Sequence, residues 1–287
     1  MKTEFRRDEP MSKHTTFKIG GSARLFYLPT TEEELARCAA EHPSALTLGG
    51  GSNLLVSDAG LDEVISTAGL GGVSLGEAED GAPVITASAG GSFTALSRFA
   101  QRNGLAGLEF AFGIPGTVGG AVLMNAGAFG GEVKDCLESV RMCAGGRLVT
   151  ATVGELGLSY RSSNLPKGAV LTSAVFRLKR GDAKEILARM NEMLGKRKLS
   201  QPLDVPSAGS VFKNPPGLFA GKIIEELGLK GARVGNAQVS EKHANFIVNM
   251  GGATARHVAD LMEKVEEAVL KTGIKLEREI KLAGSFA

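Results

Sequence analysis

Apolar positions along the chain recur with two periods, and segments of the two kinds are interleaved. Spacings of three and four mark a helix at "EEELARCAAEH", opened by a capping box of Thr31 with Glu34. A second lies at "FTALSRFAQRNG", where Ser92 caps, Phe93, Leu96, Phe99 and Ala100 share a face, and Gly104 suits the stop. A third, over 182–199, aligns Ile186, Leu187, Met190, Met193 and Leu194, so its methionines read as core rather than cofactor contacts. "LFAGKIIEELGLKG" and the amphipathic "TARHVADLMEKVEEAVLKTG" follow.

Short apolar or alternating runs predict strands at "SARLFYLP", "ALTL", "EVIST", "GGVSLGEAED", "APVITASAG", "ARVGNAQVS", "ANFIVNM" and "IKLEREIKLAG". "SVRMCAGGRLVTATV" predicts a hairpin, and "LSYRSSNLPKGAVLTSAVFRLKR" comes next. The expected class is α+β, without an exact repeat. Gln201–Pro202 marks a hinge into a C-terminal part.

Composition narrows the function classes. At 287 residues, 43% apolar and 22% charged, the chain suits a globular protein of two or three subdomains. A net charge of +2, no Trp and two Tyr argue against nucleic acid, while a nucleotide-sized anion fits. No apolar h-region and no run near the ~18 residues of a membrane span occur, so a cytoplasmic protein is expected. Three cysteines without ligand spacing predict reduced thiols, and four scattered histidines add no zinc signature, so no metal is expected.

Glycine is the outlier, with 39 residues in clusters. "LTLGGGSNLL" runs a strand into Gly49, Gly50 and Gly51, then Ser52, Asn53 and Leu54. One glycine would end a strand; three predict close backbone approach to a phosphate. Neither the dinucleotide fingerprint nor the Walker A pattern is met. "GIPGTVGGAVLMNAGA" fits either an apolar strip for a flat ring, with Asn125 for its polar edge, or a packed turn and helix start with Pro115 in the turn. By default Arg161 in "SYRSSN", and Glu277 with Glu279 in "KLEREI", read as solvated charges. Ser210, in "PSAGSVFKNPPG", has the flanks of a fixed loop but lacks the nucleophile elbow, which leaves proton donation or capping.

Six motifs in register, "GGGSNLL", "GIPGTVGGAVLMNAGA", "YRSS", "AGSVFKNPPG", "VSEKHANFIVN" and "LEREIKLAG", resemble the UDP-N-acetylenolpyruvoylglucosamine reductase family of peptidoglycan synthesis, from about Phe17 to Gly284. The resemblance implies FAD in a two-subdomain fold of the vanillyl-alcohol-oxidase type, 1–70 and 71–182, and an α+β substrate domain, 183–287. It places Gly49 to Leu54 at the pyrophosphate, and Ile114, Pro115, Gly116, Thr117, Gly119, Gly120, Ala121, Asn125 and Gly127 along the flavin and ribityl chain. It implies that NADPH reduces FAD and that flavin N5 gives hydride to the enolpyruvyl methylene carbon. Arg161 then stabilises the enolate-like state, Glu279 helps polarise the same group, and Ser210 donates the proton. Tyr160, Lys213, Asn214, Gln238 and His243 are implied substrate contacts. With 182–199 helical, much of the span between Arg161 and Ser210 is used, so the chain resembles the shorter form, without the longer form's tyrosine loop, and a monomer is expected.

Another FAD oxidoreductase of this fold, such as a sugar or lactone oxidase, would share the glycine tracts but not need Ser210, Arg161 and Glu279 together. A nucleotide-binding module without redox chemistry would show no flavin absorbance.

Overall fold

The computed structural model of the chain describes residues 3–286. By compactness the chain forms two units that do not follow linear order. The first gathers residues 3–6, Phe26–Gly50 and Glu63–Arg197; the second gathers Arg7–Leu25, Gly51–Asp62 and residues 198–286. Residues 7–25 and 51–62 thus fold with the C-terminal part, a grouping set by packing that no composition shift marks.

In the first unit the expected hairpin forms. Leu137–Ala144 and Arg147–Thr152 pair antiparallel around Gly145 and Gly146. Both glycines have positive φ, 56° and 76°, the conformation a two-residue turn of matching twist requires. Val170–Arg177, Pro83–Ser88 and Val73–Glu77 extend this to a five-stranded antiparallel sheet. A short parallel pair, Leu46–Leu48 with Leu61–Ser66, delivers the first glycine tract at its end.

Three helices of this unit precede its hairpin. α1 (Glu32–Glu41) starts where the Thr31 hydroxyl accepts from the Glu34 N–H at 3.1 Å. The Glu34 carboxylate instead bonds Thr30, through both N–H and hydroxyl, so the predicted box closes one residue early. α2 (Phe93–Arg102) has the predicted Ser92 cap and buries Phe93, Leu96 and Ala100. α3 (Val118–Leu123) grows from Thr117, whose hydroxyl accepts from Gly120. Together they bury a core that includes Phe93, Phe110, Val118, Val140 and Phe176, each such side chain worth ~1.5–3 kcal/mol of transfer free energy.

α4 (Ala183–Ser200) matches its predicted span, but its buried stripe is Ile186, Met190 and Arg197, while Leu187 is exposed. A charged residue therefore continues the apolar face one turn beyond the methionines.

The second unit has an antiparallel sheet ordered Ser207–Ser210, Phe246–Asn249, Ala237–Val239, Arg233–Val234. α5 (Ala220–Glu226) is shorter than its motif, because Gly228 and Gly231 take left-handed conformations. α6 (Ala255–Leu270) is capped by Thr254 and His257 and buries Val258, Leu261, Met262, Val265 and Val269. The last motif predicts one strand but gives two pairings: a single bridge at Arg278 to Phe212, then Lys281–Ala283 parallel to Leu54–Val56. The break lies at Glu279 and Ile280, whose N–H groups both donate to the Val211 carbonyl.

All three cysteines are free and buried. Burial, then the Glu41 charge, pushes the Cys38 thiol up to about 11, and burial pushes Cys136 up to about 12. At pH 8 the native protein is expected to react with an aromatic disulfide reagent only on unfolding. Prompt titration of one thiol in the folded protein would contradict this burial.

Candidate active site

In the first unit the two glycine tracts meet. A Cβ on Gly49 would lie 2.5 Å from the Thr117 hydroxyl, and one on Gly50 2.8 Å from the Gly116 Cα. In the second unit a Cβ on Gly51, at φ +59°, would strike the His14 carbonyl at 2.0 Å. The close approach predicted for these glycines is therefore made first by the protein itself, by the Thr117 side chain at Gly49 and by backbone at Gly50 and Gly51. What this packing leaves over is the donor side. Among the described residues, the N–H groups of Gly49, Gly50, Gly51 and Asn53 donate to no protein acceptor.

The start of α3 is not such a donor. Val118 N–H bonds Gly91 O at 2.8 Å, Gly119 N–H bonds Ala89 O at 2.9 Å, and Gly120 N–H bonds the Thr117 hydroxyl at 3.3 Å. Ile114 N–H is likewise committed, to Ala111 O. Gly119, Gly120 and Ile114 can offer a ligand surface but not N–H groups. Ala121 is buried and Pro115 exposed. The packed turn and helix start left open by the sequence is what forms.

Asn125 corrects a specific expectation. Its side chain is fully buried and used by protein: Nδ2 donates to Glu132 Oε2 at 2.7 Å and Ser159 O at 3.1 Å, and Oδ1 accepts from Lys134 N–H at 2.9 Å. Its amide is thus spent on three protein groups rather than available for the polar edge of a ring.

Arg161 stands in a tight turn closed by reciprocal Ser159 and Ser162 backbone bonds, both 3.1 Å. Its φ is +54°, a left-handed conformation that costs an L-residue ~1 kcal/mol and that glycine would adopt freely. A strained arginine at such a position is held for its side chain. One guanidinium nitrogen donates to Gly127 O at 3.0 Å, and Cζ lies 5.1 Å from the ring centre of exposed Tyr160.

In the second unit Ser210 ends a strand rather than a loop, correcting the loop predicted from its flanks. Ser207 pairs with Val248 and Ser210 with Phe246, so three steps on one strand oppose two on the other, and Gly209 at φ +76° takes up the excess. The Val211 carbonyl receives Glu279 N–H at 2.8 Å, which sets Ser210 and Glu279 on neighbouring backbone. Asn245, which the sequence did not single out, clamps the next residue: its Oδ1 accepts from Phe212 N–H at 3.0 Å and its Nδ2 donates to Phe212 O at 2.8 Å. The Asn53 amide donates to Glu279 O at 3.1 Å, which makes Asn53 a brace of the same strand. Among the described residues no protein group bonds the Ser210 hydroxyl, so it is not a cap.

The neighbouring charges separate by environment. Arg278 is locked to Glu266 on α6 by two bonds of 2.5 and 2.6 Å, and exposed Glu277 bonds Lys213 Nζ at 2.6 Å. Lys213 holds the Glu277 carboxyl below the usual range. A substrate anion at Lys213 would have to displace Glu277. Asn214 Oδ1 accepts from Ala220 N–H and so starts α5; Gln238 Oε1 accepts from Arg233; His243 is half-buried against Phe246, and burial lowers its pKa, favouring the neutral ring.

One further residue of the first unit went unnoticed in the sequence. Arg197 is 9% exposed, its Nε is buried without a partner, and burial lowers its pKa. Its Nε lies 3.9 Å from where a Gly113 Cβ would stand, at the head of the second glycine tract. A buried cation with no protein partner costs several kcal/mol, which a carbonyl-rich or anionic ligand would offset.

Comparison with known proteins decides between the flavin readings. The family described as "UDP-N-acetylenolpyruvoylglucosamine reductase, C-terminal domain" matches residues 201–283, and "FAD binding domain" matches 23–152. The reductase of Agathobacter rectalis is 48% identical over 98% of this chain and 94% of its own, and that of Pseudothermotoga lettingae 44% over 97% and 98%. This chain belongs to the UDP-N-acetylenolpyruvoylglucosamine reductase family. The crystal structure of that reductase from Thermus caldophilus is 40% identical, covers 99% of this chain and all of its own, and superposes with a TM-score of 0.82. The fold is accordingly the family's, an FAD-binding part with an α+β C-terminal domain.

The residues present fit FAD. In the first unit the uncommitted N–H groups of Gly49 and Gly50 suit a phosphate, and the orphaned Arg197 donor suits an anion or ring carbonyl. Among the described residues no His, Cys, Asp and Glu cluster could hold a metal, and no helix is long and apolar enough to cross a membrane.

Proposed function

We propose that Arg161, Ser210 and Glu279 carry the reduction of the enolpyruvyl ether of UDP-N-acetylglucosamine to UDP-N-acetylmuramate, with the roles derived below. The chain is an FAD-containing, NADPH-dependent oxidoreductase of peptidoglycan precursor synthesis acting on a UDP-sugar. Bound FAD supplies the hydride, taken from NADPH.

The observation that carries the residue assignment is the Ser210 hydroxyl. It is held by a bulged strand and an Asn245 clamp, lies beside Glu279 in the backbone, and has no protein partner of its own among the described residues. A positioned hydroxyl without a structural task suits delivery of a proton to the carbon that hydride does not attack. Serine is a weak acid, and the enolate-like carbon is basic enough to take its proton. The Arg161 guanidinium, planar and permanently charged, suits the substrate carboxylate as negative charge builds there. Glu279 helps polarise the same group.

Residues 49–54, with Ile114, Pro115, Gly116, Thr117, Gly119, Gly120, Ala121 and Gly127, serve FAD, within functional divisions of 1–70 and 71–182, and 183–287 serves the substrate. Tyr160, Lys213, Asn214, Gln238 and His243 are its further contacts, and the protein works as a cytoplasmic monomer.

The test is anaerobic. Enzyme reduced by one equivalent of NADPH is expected to regain its oxidised flavin spectrum on adding the enolpyruvyl substrate; a spectrum that stays reduced would overturn the assignment. Arg197→Met provides a second check, on the cofactor side. Loss of one charge-assisted bond worth ~1.5–3 kcal/mol should weaken FAD binding about 10- to 100-fold. Removing an unpaired buried cation should at the same time raise the melting temperature of the FAD-free chain. A fall in both quantities would mean that Arg197 is paired within the protein.

A further inference from the structure

We propose that Asn125 is a positioning residue for Arg161, an inference that rests on the role given to Arg161 above. The segment after α3 and the turn 159–162 are joined by two hydrogen bonds of opposite direction. The Asn125 amide donates to the Ser159 carbonyl at 3.1 Å, and Arg161 donates to the Gly127 carbonyl at 3.0 Å. The first fixes the turn that carries the arginine, and the second fixes the guanidinium itself.

Asn125 has φ +40°, where glycine would be strain-free, so its backbone alone does not call for an amide. The side chain does. Both of its N–H groups and its oxygen are used, by Glu132, Ser159 and Lys134. These partners fix the orientation of the amide. Glu132 Oε1 is itself held by Lys134 Nζ at 2.6 Å, and the Glu132 and Asp135 side chains cap one another's backbone. Aspartate in this place would set a carboxylate oxygen against Glu132 and another acceptor, Ser159 O.

Strain makes the tether consequential. Arg161 is in the left-handed region at φ +54°, and a turn held there relaxes when a restraint is lost. The loop would stay attached elsewhere, because the Ser163 hydroxyl donates to Leu123 O at 2.8 Å. Loss of the amide therefore displaces the guanidinium locally. A shift near 1 Å in a group that must meet a developing charge costs about 100-fold in rate.

The test compares Asn125→Gly and Asn125→Ser with the parent holoenzyme and repeats both in an Arg161→Lys background. The single variants are expected to purify with FAD at the parental ratio. Their reduced flavin should be reoxidised by the enolpyruvyl substrate about 10- to 100-fold more slowly, with a raised half-saturating substrate concentration. In the Arg161→Lys background the same substitutions should change that rate less than about twofold, because the group they position is gone. Additive losses would overturn the proposal, as would failure of both single variants to yield FAD-loaded protein, since the effect must be local. If Arg161→Lys alone leaves reoxidation unchanged, the role of Arg161 falls; if it slows reoxidation but neither Asn125 variant does, only the present inference falls.

Discussion

Ser210→Ala should yield a protein that binds FAD and is reduced by NADPH at close to the parental rate, yet returns hydride to the enolpyruvyl substrate about 10²- to 10⁴-fold more slowly. The asymmetry follows from where a proton is needed. Flavin reduction draws nothing from Ser210, whereas saturating the enolpyruvyl double bond requires one proton at the carbon opposite the hydride. The backbone should be unmoved, because the strand pairing with Phe246 and the bulge at Gly209 involve no serine side chain. Stopped-flow measurement of the two half-reactions separates the outcomes. Equal slowing of both would make Ser210 structural, and a normal second half-reaction would assign the proton to another donor. Ser210→Cys, with a more acidic group, is expected to recover part of the lost rate.

Arg161→Met should lower the substrate half-reaction about 10²- to 10³-fold, the usual loss when a donor aimed at developing charge is removed. Arg161→Lys should recover little of it. Lysine keeps the charge but cannot bond the Gly127 carbonyl and grip a carboxylate with one planar fork. Glu279→Gln, which keeps a polar head of the same size, should cost less than either. Substrate affinity, followed by the flavin absorbance change on titration, is expected to fall for Arg161→Met more than for Ser210→Ala, since in the proposed roles the arginine meets the carboxylate before reaction and the serine acts during it. Undiminished affinity and rate in Arg161→Met would remove the arginine from the mechanism.

Relief of a committed contact governs the other polar candidates. Lys213 is tied to Glu277, Asn214 to the first N–H of α5, and Gln238 to Arg233. For each, the net gain on meeting substrate is the new bond less the one given up, so alanine substitutions there should act on affinity more than on the proton step.

Local rules in the amino-acid order determined much of this protein. The Ser92 and Thr31 caps, the Gly145–Gly146 turn and the amphipathic α6 form where the pattern places them, because each depends on neighbours within a few residues. The six motifs in register likewise sufficed to identify the family. Tertiary structure alone decided what each candidate side chain touches. Asn125 could not be told from a ring contact until its three partners, as far away as Ser159, were in place. Arg197 continues an apolar stripe and looks like any helix-surface cation, yet ends buried and unpaired. The final motif changes partners at Glu279 because the Val211 carbonyl captures two successive N–H groups, which places that carboxylate's backbone beside Ser210. Hydrogen-bond saturation and burial are properties of segments distant in sequence brought together, and no periodicity along one strand or helix encodes them.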